Sequence, residues 1–326
     1  MRRSVLTIII LIFGAGLSSG LTAKEGKSIR VAVVLKAKGN AFYDSILDGF
    51  QERAVHHGLK TVLHYGENED DWEGQIKFLI GSLASFDAVV LVPNRSEKFE
   101  EVLKELHSSG KPVVIVDTPV TKGEAHVLTT ISSDNRLGGS LAGTFMSNQL
   151  RVEPSEENCL VHFSGNSEAQ THQDRNRGFL DVVRREHPKM KVYTFNALSD
   201  FETAKSIALE NLGQIQKCYG VFAGSDTMIL GVLDAFESNN LREPPILVGY
   251  DAILEVQRKI LESKITASVQ QSPADMGRVA ADSIAAATQG ADVQKRQIIA
   301  PRLAVRKFQL DLLGEKELAI VSPKIP

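Results

Sequence analysis

The sequence predicts an α/β protein with two doubly wound parallel-sheet lobes that face each other across a cleft. Short apolar segments of strand character alternate with amphipathic helical patterns along the 326 residues. Apolar strands separated by helices are typical of a parallel sheet that is covered on both faces. The same alternation occurs twice in similar order, so we interpret the chain as an internal repeat of one lobe.

The first series of elements ends at Asp117. Its strands are predicted at 29–35, 60–64, 87–92 and 112–117. The helices between them are predicted from apolar residues at helical spacing, such as Ile46, Leu47 and Phe50 in the first helix. Trp72 belongs to the apolar face of the second helix, so we interpret it as a core residue and not as a ligand contact.

The second series repeats this plan and ends at Asp251. Its strands are predicted at 159–163, 191–195, 219–223 and 246–251. Ligands of open parallel sheets bind outside the carboxyl ends of the strands. Because each series ends its fourth strand with an aspartate, we expect Asp117 and Asp251 to face one shared cleft.

The domain boundaries follow from the repeat. We expect one lobe to comprise 24–131 and 272–300, and the other 132–271 and 301–326 with the tail. Three crossings are expected between them, near Ser132, near Gln271 and near residue 300. The tail after Leu310 has no functional interpretation from its sequence.

The first 23 residues are typical of a secretory signal peptide. Arg2 and Arg3 precede an apolar segment at 5–13, and small residues lead to a predicted cleavage after Ala23 or Gly20. The alternative is an uncleaved membrane anchor, for which the apolar segment is short. We therefore expect export and removal of 1–23.

Two cysteines are present, Cys159 and Cys218. Export to an oxidising compartment permits a disulfide between them, since each lies beside a predicted strand of the second series. Two buried thiols would suit the same positions. The sequence leaves both alternatives open.

Composition and motifs exclude several functions. The formal charge is −3 and basic residues form no block, which argues against nucleic-acid binding. The eight histidines form no metal-ligand motif, and the glycine-rich motifs of nucleotide enzymes and the Gly-x-Ser-x-Gly motif of hydrolases are missing. We therefore expect no cofactor, no metal and no enzymatic activity. The alternative is acid–base catalysis by Asp117 and Asp251, without a nearby nucleophile to support it.

A cleft for a polyhydroxylated ligand explains the polar residues better. Carboxylates accept bidentately from neighbouring hydroxyl groups, amides both donate and accept, and a guanidinium donates in a planar fork. The candidates for these roles are Asp117, Asp251, Asn40, Gln271 and Arg177. Phe42, Tyr43 and Phe201 could cover the apolar faces of a ring. Each aromatic alone could equally be a core residue, and a lone Asp after a strand is often a helix N-cap.

Eight segments together resemble a known family. In order they are Asn40-Ala41-Phe42-Tyr43, 112–117, 133–139, Arg177-Gly178-Phe179, Asp200-Phe201, 221–231, 248–251 and Gln271-Ser272-Pro273. They occur in the order seen in ribose-type periplasmic binding proteins (type I), whose fold is shared with the ligand domains of sugar-responsive repressors. The resemblance covers roughly residues 29–308.

The resemblance implies a set of ligand contacts. The Asn and two aromatics that follow the family's first strand match Asn40, Phe42 and Tyr43. Its other matching contacts, taken in chain order, are Asp117, Arg177, Phe201, Asp251 and Gln271. Two positions depart from the ribose binders, since Thr118 stands in place of an Arg and Ser225 in place of an Asn. Tyr43 replaces a Phe, so the ligand is expected to be a sugar or polyol other than ribose.

The resemblance also implies a role. We expect an exported, monomeric solute-binding protein of the periplasm that closes on its ligand and delivers it to the membrane permease of an ABC importer. The alternative is a ligand sensor that docks on a membrane receptor kinase or chemoreceptor. The sequence does not separate these two roles.

Overall fold

The computed structural model describes residues 28–150, 158–241, 244–305 and 318–320. The predicted signal peptide and most of the tail after Leu310 lie outside the described residues. Within the described part, no helix has both the length and the apolar character that a membrane span requires.

Strands and helices alternate along the chain. The strands are β1 (Arg30–Leu35), β2 (Lys60–Tyr65), β3 (Ala88–Leu91), β4 (Val113–Val116), β5 (Thr129–Ser133), β6 (Cys159–Ser164), β7 (Lys191–Asn196), β8 (Gly220–Ala223), β9 (Ile246–Asp251), β10 (Ala267–Gln270), β11 (Arg296–Ile299), β12 (Arg302–Val305) and β13 (Leu318–Ile320). The helices are α1 (Ala41–His56), α2 (Trp72–Gly81), α3 (Glu100–Ser108), α4 (Asn135–Gln149), α5 (Gln170–Glu186), α6 (Phe201–Glu210), α7 (Leu212–Ile215), α8 (Asp226–Ser238), α9 (Leu254–Leu261) and α10 (Pro273–Thr288).

The first lobe is a six-stranded parallel sheet in the order β11-β5-β4-β3-β1-β2. Side chains of a strand alternate between the two faces of its sheet. Val31, Val33 and Leu35 of β1 accordingly pack beneath α1 and α10, whereas Ala32 and Val34 pack beneath α2 and α3. Helices cover both faces of this sheet, which is why its central strands are apolar throughout.

The second lobe has the same plan, with the strand order β13-β12-β10-β9-β8-β6-β7. Its strands are parallel except that β12 runs antiparallel to β10. Buried residues of α4 and α5 form one core layer, and those of α6, α8 and α9 form the other. The predicted fold class is therefore confirmed. Three crossings join the sheets, between β5 and α4, between β10 and α10, and between β11 and β12.

Cys159 and Cys218 form a disulfide with a Cα–Cα distance of 4.7 Å. Cys159 begins β6, and Cys218 lies just before β8. The bond therefore joins the amino ends of two neighbouring strands, at the edge of the sheet opposite the carboxyl ends. It decides between the two alternatives that the sequence leaves open.

Candidate functional site

A cavity lies between the two lobes at the carboxyl ends of their strands. Both lobes supply polar groups to its wall, which is lined by Lys36, Asn40, Phe42, Tyr43, Glu69, Asp117, Thr171, His172, Arg175, Ser199, Ser225 and Asp251. The sheet edges bring these side chains together from segments that are far apart in the sequence. This is the position at which open α/β sheets bind ligands.

Asp117 and Asp251 occupy equivalent places in the two lobes. Asp117 follows β4 with a φ of 65°, and Asp251 ends β9 with a φ of 118°. A non-glycine residue rarely adopts a positive φ, and such backbone strain is concentrated at functional sites. Neither residue is the N-cap of the helix that follows it, because those caps are Gly123 and Ile253. Asp251 Oδ2 instead accepts from the Asp226 N–H at the start of α8, at 3.5 Å.

Lys36 holds the first of these carboxylates. It directly follows β1, its side chain is 5% exposed, and its Nζ donates to Thr118 Oγ1 at 2.7 Å and to Asp117 Oδ2 at 3.4 Å. Thr118 Oγ1 in turn donates to Asp117 Oδ2 at 2.8 Å. Asp117 Oδ1 has no hydrogen-bond partner among the described residues. That buried oxygen is therefore an acceptor that is open to a ligand hydroxyl.

Glu69 organises the segment that follows β1. Its two carboxylate oxygens accept from Asn40 Nδ2 at 2.9 Å and from the Tyr43 hydroxyl at 2.7 Å. Asn40 Oδ1 accepts from the Phe42 N–H at 3.0 Å and so caps α1. Asn40 and Tyr43 are predicted ligand contacts, and in this structure the Asn40 amide nitrogen and the Tyr43 hydroxyl both bond to Glu69. Burial raises the pKa of the Glu69 carboxyl.

Arg175 forms the centre of the second lobe's wall. Its side chain is 5% exposed, and it donates to Asn135 Oδ1 and to the Gly224 carbonyl, each at 2.8 Å. The guanidinium stacks on the Tyr250 ring at 3.9 Å. Gly139 of α4 has no Cβ atom, and a Cβ atom there would collide with the Arg175 carbonyl. This glycine therefore allows α5 to pack closely against α4. Such packing holds the guanidinium in one orientation.

Asp251 faces Arg175, with Oδ1 at 3.7 Å from Nη1. Gln271 Nε2 donates to the same carboxylate oxygen at 2.7 Å. Burial raises the pKa of Asp251 to about 6, against the opposing effect of Arg175. Behind it, Asp226 is fully buried and accepts from Ser268 and from the Ile253 N–H, and burial together with Asp251 raises its pKa well above the usual range.

Ser225 and His172 complete this wall. Ser225 precedes α8, yet its side chain makes no capping bond, and its buried Oγ has no partner among the described residues. His172 Nε2 bonds to Ser199 Oγ at 2.8 Å, and its Nδ1 has no partner within the same described residues. Burial holds the pKa of His172 well below the usual range. A neutral imidazole and a free hydroxyl therefore border the cavity.

The structure brings together most, but not all, of the predicted contacts. Asn40, Phe42, Tyr43, Asp117, Ser225 and Asp251 line the cavity, and Thr118 and Gln271 lie just behind it, bonded to the two aspartates.

Two predicted residues do not line the cavity. Arg177 is exposed on α5, because two residues turn a helix by about 200° and place it opposite Arg175. The cavity is thus lined by Arg175 of the predicted helix and not by Arg177. Phe201 begins α6, is partly buried, and is likewise outside the cavity lining. Its backbone carbonyl packs against Gly231 of α8.

Six further residues of the cavity wall were not predicted from the sequence, namely Lys36, Glu69, Thr171, His172, Arg175 and Ser199. Lys36 directly follows β1 and Glu69 lies in the loop after β2, so the rule that identified Asn40 would have included them. His172 and Arg175 lie on the first two turns of α5, and no sequence motif marks them as residues of a binding site.

Hydrogen bonds and ion pairs also join the two lobes directly. Arg95 of the first lobe donates to Asp70 at 2.6 and 2.7 Å and to Glu168 of the second lobe at 2.7 Å. Asn166 Nδ2 donates to Asp70 Oδ1 at 2.9 Å, and the Ser96 N–H donates to the Glu168 carbonyl at 3.0 Å. The free space inside the cavity is about 20 Å³, which is about the size of one water molecule. A sugar ring fits only when the lobes are further apart.

The cavity offers no metal site. Across the described residues, no group of three or more His, Cys, Asp or Glu side chains could hold a metal ion.

Comparison with known proteins gives the family. The family model described as a periplasmic binding protein domain matches residues 31–292. The ribose import binding protein of Bacillus subtilis is 26% identical over 272 residues, which cover 82% of this chain and 85% of that protein. The Escherichia coli ribose import binding protein is 24% identical over 304 residues, 91% of this chain and 97% of that protein.

A solved structure has the same fold. A carbohydrate transporter solute binding protein from Agrobacterium radiobacter, in complex with D-arabinose, superposes with a TM-score of 0.79 at 23% identity, covering 87% of this chain and 96% of that one. The matched family model spans most of the chain, including the segments that surround the cavity. The chain therefore belongs to the periplasmic binding protein family, in its ribose-binding-like type I branch.

Proposed function

We propose that this protein is an exported solute-binding protein that captures a sugar or sugar-like polyol between its lobes and delivers it to an ABC importer. One observation carries the proposal. Buried polar atoms of both lobes face a single cavity, and those of Asp117, Ser225 and His172 have no partner within the described residues. Burying such atoms without a partner costs about 1–3 kcal/mol each, which a ligand with matching hydroxyl groups would recover.

The charges of the site support a neutral, hydroxyl-rich ligand. The Lys36 ammonium lies beside Asp117, and the Arg175 guanidinium lies beside Asp251. Since each cation already has a carboxylate neighbour, neither is left to bind an anionic ligand. The remaining acceptors and donors suit hydroxyl groups, which can do both. Phe42 and Tyr43, which meet edge to face with centroids 5.6 Å apart, suit the apolar face of a ring.

The relatives support the transport role. Those named above are ribose import proteins and a carbohydrate transporter component. They favour delivery to an importer over the alternative of a membrane-docking sensor. Export of a monomer to the periplasm and removal of the predicted signal peptide at 1–23 belong to this proposal, as does the absence of enzymatic activity.

Hinge motion belongs to it as well. We propose that the segments 24–131 and 272–300 move as one body and 132–271 and 301–326 as the other, about the three crossings. A ligand that bonds to Asp117 in one body and to Asp251 in the other favours the closed arrangement because it contacts both.

A thermal-shift screen tests the proposal. The panel contains pentoses, hexoses, polyols and phosphosugars, and binding to the folded state raises the melting temperature. The expected result is a shift with at least one neutral sugar or polyol, and none with the phosphosugars. If no neutral sugar or polyol raises the melting temperature, the proposed ligand class is wrong.

A further inference from the structure

A second space lies between the lobes, next to the cavity. It is a groove of about 570 Å³ that runs between the first turns of α1, the loop from Asp251 to Leu254, and the crossing at 270–275. Phe42 and Asp251 line both the groove and the cavity. The two spaces are therefore separated by the side chains of these two residues.

The lining of the groove is acidic. Four aspartates line it, Asp44, Asp48, Asp251 and Asp275, and no Lys or Arg is among the described residues of its lining. Such a wall accepts hydrogen bonds from hydroxyl groups and repels carboxylates and phosphates. Its apolar lining is formed by Phe42, Ile253, Leu254 and Pro273. Leu254 is 40% exposed, so apolar surface is available there to the face of a ring.

Gln271 connects the groove with the cavity. Its side-chain Nε2 donates to Asp251 Oδ1 at 2.7 Å, and it lines the groove while being only 3% exposed. Its Oε1 has no hydrogen-bond partner among the described residues. A buried amide oxygen without a partner costs free energy unless something bonds to it. Gln271 lines the groove and not the cavity, so a donor that enters the groove is the candidate partner for this oxygen.

The groove is much larger than the free space in the cavity. Pockets that hold small molecules usually measure about 300–1,000 Å³. The groove, at about 570 Å³, lies in this range in the closed arrangement, whereas the cavity has about 20 Å³ free. The groove therefore has room for a hydroxylated group in the same arrangement in which the cavity is too small for a sugar ring.

We propose that the ligand is a glycoside or short oligosaccharide, with its terminal sugar in the cavity and its second unit in the groove. This inference rests on the proposed function, because it extends the same site. The linkage between the units passes Phe42 and Asp251. The second unit donates a hydrogen bond to Gln271 Oε1 and lies against Leu254.

A variant that fills the groove tests the inference. Ser45 lines the groove on α1 but not the cavity, so Ser45→Phe narrows the groove alone. Gln51→Phe is the matched control, since Gln51 is exposed on the same helix and outside both linings. Calorimetry compares each monosaccharide that binds with its disaccharides and its methyl and aryl glycosides, for the unchanged protein and both variants.

The expected result is a glycoside or disaccharide that binds about tenfold more tightly than its parent monosaccharide. Ser45→Phe removes this preference, and Gln51→Phe keeps it. If no extended ligand binds more tightly than its parent, or if Ser45→Phe weakens both equally, the inference is overturned while the proposed function stands. If neither monosaccharides nor glycosides bind, the proposed function itself fails.

Discussion

The Arg175 guanidinium lies 3.7 Å from the Asp251 carboxylate, while Arg177, two residues later on the same helix, is exposed. Arg175→Met leaves Asp251 buried beside no cation and removes the donor to Asn135 and Gly224. Hydrogen bonds to charged groups contribute about 1.5–3 kcal/mol, so sugar affinity is expected to fall about ten- to a hundredfold.

The control for this prediction is Arg177→Met, which is expected to leave affinity unchanged in a calorimetric titration. Arg175→Lys keeps the positive charge but lacks the planar guanidinium. Its affinity therefore shows whether binding depends on the charge or on the planar arrangement of donors. Thermal unfolding of each variant shows whether the fold persists. Loss of binding in Arg177→Met, with binding kept in Arg175→Met, would restore the assignment made from the sequence.

Affinity is expected to depend on pH through Asp251. Burial raises the pKa of this carboxyl to about 6, so the unliganded protein holds its proton below that pH. Ligand hydroxyls donate to the ionised carboxylate, so affinity rises as pH increases from about 5 to about 7, by at most about tenfold per pH unit.

The stability of the unliganded protein depends on pH in the opposite direction. The folded state binds the Asp251 proton more tightly than the unfolded state, so this group's contribution to stability falls as pH rises toward about 6. Calorimetry with a neutral sugar, together with thermal unfolding across this range, measures both slopes. Affinity that is flat or falls with rising pH would contradict the role of Asp251, and Asp251→Asn should remove the dependence.

The disulfide is expected to matter for stability and not for ligand affinity. Cys159 and Cys218 are 59 residues apart in sequence and join the amino ends of strands, whereas the cavity lies at the carboxyl ends. Replacing both by Ser is expected to cost about 2–4 kcal/mol of folding free energy. Denaturant unfolding measures this loss and titration measures the affinity. A large loss of affinity in a folded double variant would show that the bond shapes the site.

The bridge from Arg95 to Asp70 and Glu168 is expected to favour the closed arrangement. These side chains are part exposed, so Arg95→Met is expected to weaken ligand binding by about two- to fivefold, an effect that salt reduces. Trp72 is the sole tryptophan, and Arg95 lies 5.9 Å from its ring. Its fluorescence should therefore change when a sugar closes the lobes.

Lys98→Met is the control for this measurement, because Lys98 lies 5.2 Å from the same ring and belongs to the first lobe. It should shift the fluorescence of the unliganded protein but preserve the change on adding sugar. Arg95→Met should diminish that change. If the fluorescence change on adding sugar is the same in Arg95→Met as in the unchanged protein, the bridge is not involved in closure of the lobes.

The fold was predictable because apolar strands and amphipathic helices alternate clearly and repeat. The strands β5 and β10 were not predicted, since Thr129-Thr130-Ile131-Ser132-Ser133 and Ala267-Ser268-Val269-Gln270 carry no apolar run. Their neighbours in the sheet hold them in place. Ser96 lies four residues before the start of α3 and bonds to the second lobe, a contact that the local sequence does not indicate.

The site was predictable where it follows strand ends. Asp117, Asp251 and Ser225 lie in the cavity because the ends of parallel strands meet at one edge. The choice between Arg175 and Arg177 depends on helix phase, which short motifs do not define. The burial of Lys36 depends on Asp117, 81 residues later, so local sequence could not show it.

The most direct test of capture between two lobes replaces one aspartate in each lobe. The sugar that gives the largest thermal shift is titrated by calorimetry into the unchanged protein, Asp117→Ala and Asp251→Ala, with thermal unfolding to establish that each variant folds. We predict that each single replacement reduces affinity by about a hundredfold or more, because closure needs contacts from both lobes. Undiminished affinity in either folded variant would contradict the account.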